Sequence, residues 1–141
     1  MSEFCKAWHN ITLEGAKRVR DHALLKASES GVSVSVVIVD RSGVILLVET
    51  ADSAPPGASE ASIMKAKGAS RYRIATHMTA ESLKTIPAQL ALHALALPEV
   101  CALQGGVPIK VEGEVVGGVG VSGGSGEQDI AISLAAAAII T

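Results

Sequence analysis

Between Gln104 and Asp129 the chain runs QGGVPIKVEGEVVGGVGVSGGSGEQD, a stretch holding most of its 14 glycines. The chemistry available here lies as much in backbone as in side chains. Gly105 and Gly106 precede one apolar strand, and Ser122, Gly123 and Gly124 follow another. Free N–H groups at these two places would suit a carbonyl oxygen or a carboxylate. Ser125 can cap the following helix, and Gln128 completes a capping box, so the loop ends at a helix N-terminus. Glu127 and Asp129 fall in the first turn, where they suit the helix dipole and argue against a bound phosphate. In an enzyme either one can serve as acid or base. The run lacks the lysine and spacing of a phosphate-binding P-loop. Lys65 sits near the start of an earlier helix, a poor place for a cation, which points to a specific partner. That partner is either the carboxylate of a small organic acid or an ion pair across a subunit interface. The same glycines would equally let a helix lie close against the sheet. No Ser/His/Asp or Cys/His pattern and no metal-ligand spacing occurs, so no metal is expected.

Several elements must position these residues. Thr12 can cap a helix whose apolar positions recur at Leu13, Ala16, Val19, Ala23, Leu24 and Ala27, with Gly31 as its stop. Val32 to Asp40 (VSVSVVIVD) alternates and then becomes a β-branched run, predicting a strand. A turn at Asp40-Arg41-Ser42-Gly43 returns the chain as Val44 to Glu49. Pro55-Pro56-Gly57 lies in a loop, and Ser59 caps a helix to about Thr76. Met64, Gly68, Tyr72 and Ala75 make its predicted buried stripe; Lys65, Lys67, Arg71 and Arg73 make a basic, solvated face. Thr79 caps a short helix through Lys84, Pro87 interrupts it, and Ala88 to Leu97 is either helix or packed loop. Glu99 to Leu103 reads as a short strand, followed by a hairpin around Glu112-Gly113-Glu114. The last helix, Gly126 to Ile140, is apolar all round after Asp129, so a core and a neighbouring subunit are expected to cover it. Five strands with separate helices make an α+β architecture.

The bulk numbers bound the class. A chain of 141 residues suits one domain, residues 1–141, of which 1–10 form a weakly patterned lead-in. A net charge of −2 and three aromatics make a poor nucleic-acid binder. No apolar run reaches membrane-span length, and no basic segment precedes an apolar one as in a secretion signal. Cys5 and Cys101 have neither metal nor redox spacing and suit a reducing cytoplasm. With 48% hydrophobic and only 18% charged residues, the chain has little charge to cover its exterior, and a homo-oligomer is expected.

The string GGVPIKVEGEVVGGVGVSGG followed by EQD resembles the GlcG/HbpS family, which also supplies the C-terminal domain of PduO-type proteins. The matching residues are Gly105, Gly106, Pro108, Gly113, Gly117, Gly120, Val121, Ser122 and Gly123, then Glu127, Gln128 and Asp129. Val36 to Asp40 with Gly43 is similar to the family's first hairpin, and Lys65-Ala66 to the Lys-Ala pair of its helix. The resemblance runs from about Ile11 to the C-terminus and is loose between Arg71 and Leu97. It implies a profilin-like fold, a five-stranded antiparallel sheet with helices on both faces, assembled as an octamer or another homo-oligomer. It implies haem or corrinoid binding, or an accessory role beside catabolic genes.

Haem binding needs an axial ligand and an apolar slot. Of His9, His22, His77 and His93, the ligand candidates are His22 and His77, with Lys65, Arg71 and Arg73 near His77 to meet propionates. The first reading is therefore a haem- or corrinoid-binding accessory protein. The alternative is an enzyme acting on a small organic acid or carbonyl intermediate. Its ligand would contact Gly105, Gly106, Pro108, Ser122, Gly123, Gly124, Lys65 and Arg71, with Lys65, Glu127 and Asp129 as catalytic candidates. A third reading is a structural protein whose glycines serve packing.

Overall fold

The Thr12 hydroxyl accepts a hydrogen bond from the Gly15 N–H at 3.0 Å and so starts α1, Leu13–Glu29. The computed structural model describes residues 2–141. The elements after α1 are β1 (Ser35–Asp40), β2 (Ile45–Thr50), α2 (Ala58–Tyr72), α3 (Thr76–Leu83) and α4 (Ala88–Leu95). The chain closes with β3 (Gly106–Val111), β4 (Glu114–Ser122) and α5 (Gly126–Ala137). The strands pair antiparallel in the order β2-β1-β4-β3. Helices α1 and α5 pack together against one sheet face and α2 packs on the other. Alternation along β1 explains the two-sided burial. Val36 and Ile38 join the core under α1 and α5, while Val37 and Val39 turn toward Ala66 of α2. Among the described residues no helix is long and apolar enough to cross a membrane.

The α+β class holds, but the sheet has four strands, not five. Residues 99–103, read as a short strand, form turn and coil instead. Glu99 takes a positive φ of 63°, and the segment packs under α2 rather than along β3. A Cβ on Gly68 would lie 2.7 Å from the Cys101 Cβ and 3.0 Å from the Glu99 carbonyl oxygen. Strand β3 is therefore an edge, where the missing N–H of Pro108 costs little.

The buried face of α2 also differs from expectation. Of the expected stripe Gly68 and Ala75 are buried, but Met64 and Tyr72 are 53% and 41% exposed, and Ser62, Lys65, Ala66, Ala69 and Ser70 are buried in their place. The cause lies in β4. A Cβ on Gly120 would overlap the Ser62 carbonyl oxygen, and one on Gly118 would lie 2.6 Å from that of Ala66. The helix lies too close to the sheet for large side chains between them. It starts at Ala58 behind Gly57, not at a Ser59 cap, and ends at Tyr72 because Arg73 is left-handed. Helix α3 begins at Thr76, three residues before its expected cap. Helix α4 forms, yet none of its residues is buried.

Candidate functional site

Lys65 points from α2 into the end of the sheet. Its Nζ donates to the Val121 carbonyl oxygen at 2.8 Å and to Asp129 Oδ2 at 3.2 Å. Both side chains of this ion pair are 5% exposed. Asp129 Oδ1 accepts the Gly124 N–H at 2.9 Å, so the carboxylate is held on both oxygens. The capping box fixes where Asp129 stands: the Gln128 N–H donates to Ser125 Oγ at 3.2 Å and the Ser125 N–H to Gln128 Oε1 at 2.8 Å. Gly105, at φ 115°, packs against this pair: a Cβ there would lie 2.8 Å from the Asp129 Cβ and 3.2 Å from Lys65 Nζ.

Lys65, Asp129, Gly105 and Gly124 thus converge at one point, but the arrangement is inward. The Gly124 N–H is used by Asp129, and the Gly106 N–H donates to Thr76 Oγ1 at 2.9 Å. Neither forms an outward cradle for a carboxylate. The pair ties the end of β4, the Gly/Ser loop and the start of α5 to α2. Buried, paired and hydrogen-bonded, it carries a large penalty if one partner is lost. The basic-face reading of α2 fails at Lys65.

Other candidates fall elsewhere. Glu127 is exposed in the first turn of α5, as a helix carboxylate would be. Ser122 ends β4, and Gly123 packs on the backbone of Ser33 and Val34. Arg71 donates to the Ser42 carbonyl oxygen at 3.0 Å and lies 3.0 Å from Glu99 Oε2. It braces the β1–β2 turn and takes no part in the Lys65 cluster.

The histidines have four distinct surroundings. His22, on α1, lines an open cavity of about 340 Å³ with Arg18, Asp21, Leu25 and Ile139. His77 Nδ1 is enclosed and has no hydrogen-bond partner among the described residues. His93 is exposed on α4. His9 Nδ1 lies 3.1 Å from Glu114 Oε2, and Arg41 pairs with Oε1 of the same carboxylate. The His9 hydrogen bond, with help from Arg41, holds the Glu114 carboxyl below its ordinary range.

This last cluster escaped the sequence reading. Residues read as a weakly patterned lead-in are pinned to the fold. The Arg41 guanidinium lies 3.4 Å from the centroid of the Trp8 ring, and Asn10 Oδ1 accepts the Arg41 N–H at 2.9 Å. A cavity of about 370 Å³ opens beside His9 and Glu114. The one available signal was Trp8, the single tryptophan of the chain.

Comparison with known proteins decides the lineage. The sequence profile of the family described as haem degrading protein HbpS-like matches residues 11–138. The chain belongs to the HbpS-like family. The resemblance carried by the Gly-rich hairpin and the EQD segment is borne out. A 15.0 kDa protein from the dhaT-dhaS intergenic region of Citrobacter freundii is 34% identical over 119 residues, 84% of each chain. The structure of a double mutant of Streptomyces reticuli HbpS superposes with TM-score 0.88 at 30% identity, covering 100% of this HbpS-like chain and 94% of that one. The PduOC:heme complex superposes with TM-score 0.83 at 29% identity, covering 94% and 96%.

Proposed function

We propose that this HbpS-like protein is a haem-binding accessory protein with His22 as the axial ligand. The observation that carries the reading is the setting of His22. Its imidazole lines an open cavity whose other walls include the exposed side chains of Leu25 and Ile139, and Arg18 stands at the same cavity. The residues fit the group: an imidazole for iron, apolar side chains for the ring, and a cation for a propionate. Asp21 does not spoil the fit, because Arg20 holds its carboxylate at 2.9 Å, while Arg18 has no such partner among the described residues. The relative solved as a PduOC:heme complex supports the same class of ligand. Bound haem would supply the redox and oxygen chemistry; the protein's part is to ligate, orient and shield it. A corrinoid is the other macrocycle that this cavity suits.

The cavity is shallow, so a macrocycle resting on it needs cover from a second surface. We assign that cover to another copy of the chain. Helix α4 presents Leu90, Leu92 and Leu95 to solvent, and α5 presents Leu134, with Ile139 just beyond its end. These unpartnered apolar faces suit a homo-oligomer. The exposed free thiol of Cys5 suits a reducing compartment such as the cytoplasm. In this reading Lys65 and Asp129 form an internal strut, and small-acid catalysis at Lys65 is disfavoured because its ammonium is already spent on protein acceptors.

Haem titration followed in the Soret region tests the proposal. We expect saturable binding that His22→Ala abolishes and His77→Ala leaves intact. Binding indifferent to His22 would sink the assignment.

A further inference from the structure

The cleft between the start of α3 and the edge strand β3 has no role in the haem reading. Arg73, Ile74, Ala75, Met78, Pro108 and Lys110 line it, and its volume is about 320 Å³. Two features of this cleft, its charge and the helix that starts at it, point to an anion, and its apolar wall points to an apolar body.

The first is charge. Arg20, Lys26, Arg41, Lys65, Lys67, Arg71 and Lys84 each have a carboxylate within 4.0 Å. Among the described residues Arg73 and Lys110 have none. Lys6, equally unpaired, approaches Arg73 across Trp8: Lys6 Nζ and Arg73 Cζ lie 5.7 and 5.9 Å from the ring centroid. Lys17 and Arg18, on α1, are likewise unpaired among the described residues, but of these five cations Arg73 and Lys110 line the same cleft.

Arg73 is placed there by the end of α2, whose left-handed C-cap it is at φ 57° and ψ 33°. The second is the helix start. Ala75, the N-cap of α3, lines the cleft and offers no side-chain acceptor, so the positive end of α3 is left without a cap there.

We propose that this cleft binds a small organic carboxylate with an apolar body. The carboxylate lies between Arg73 and Lys110 at the start of α3, and the hydrocarbon lies on Ile74, Met78 and Pro108. A guanidinium fork matches the two oxygens of a carboxylate, and the apolar wall would go unused by inorganic phosphate. The site is separate from the His22 cavity and from the buried Lys65–Asp129 pair.

The test is calorimetric titration of the full chain with sodium butyrate and with inorganic phosphate, at constant ionic strength. Trp8 fluorescence gives a parallel signal, since the chain has one tryptophan and Arg73 lies 5.9 Å from its ring centroid. We expect saturable butyrate binding and at least tenfold weaker phosphate binding. Arg73→Gly removes the charge while tolerating the left-handed backbone, and Lys110→Gln removes the second charge. Each should weaken butyrate at least tenfold, with circular dichroism and haem uptake unchanged. Arg71→Gln, whose side chain braces the β1–β2 turn instead, should bind butyrate like the wild type. Butyrate heats that never saturate, phosphate binding as tightly as butyrate, or folded Arg73→Gly and Lys110→Gln variants with wild-type affinity would each overturn the proposal.

Discussion

Replacing Lys65 by Met should destabilise the protein severely, and the size follows from the geometry. The substitution keeps the length of the apolar stem and removes the ammonium. Asp129 then remains 5% exposed, with the Gly124 N–H as its one described hydrogen-bond donor. Breaking a buried pair by removing one partner costs about 3–5 kcal/mol. For a chain of this length that corresponds to a fall in Tm of roughly 10–15 °C. The further change Asp129→Asn removes the orphaned charge while keeping the acceptor for Gly124. The double variant should therefore regain at least half the loss. The assay is thermal unfolding by circular dichroism at one fixed protomer concentration, at low and high salt. A buried pair predicts little dependence on salt. A single variant losing less than roughly 3 °C, or a double variant no better than Lys65→Met alone, would refute the strut.

Other consequences can be checked separately. Gly120→Val should prevent normal folding or assembly, because its Cβ would overlap the Ser62 carbonyl oxygen and approach the Ala66 N to 2.7 Å; a soluble variant with the wild-type melting curve would contradict this. Light scattering at micromolar concentration should find an oligomer that Leu92→Lys, on the unburied α4, splits; a wild-type monomer would remove the assembly proposal. Of the two thiols, exposed Cys5 should react at once with a thiol reagent near pH 8. Burial, opposed by weaker effects of the Leu103 backbone and Lys65, pushes the Cys101 thiol up, so it stays protonated and should react only on unfolding in urea. Prompt modification of both thiols in the native protein would contradict the packing of residues 99–103 under α2.

Local patterns carried much of the fold. The Thr12 cap, the β1 run, the hairpin glycine at 113 and the Ser125–Gln128 box each depend on residues near in sequence, and each forms. What failed depends on contacts between distant segments. The stripe of α2 cannot be chosen from its own periodicity, because glycines in β4, more than 50 residues away in sequence, decide which side chains fit. Residues 99–103 have strand-like composition, yet they pack against α2 at Gly68 instead of pairing with β3. At the candidate site, the dipole argument found that Lys65 needs a partner. It left open whether that partner was a ligand, and the answer lay in Asp129 at a separation of 64 residues. Nothing local marked His22 above the other histidines, since its cavity is completed by Ile139 from the opposite end of the chain.

The most direct measurement on the central claim is a haem titration of the purified apoprotein and of its His22→Ala, His77→Ala and Arg18→Gln variants. A saturable Soret shift with fixed haem-to-chain stoichiometry, lost in His22→Ala, weakened in Arg18→Gln and retained in His77→Ala, is the predicted result. A shift that never saturates, or one that survives in His22→Ala, would contradict a haem site on α1.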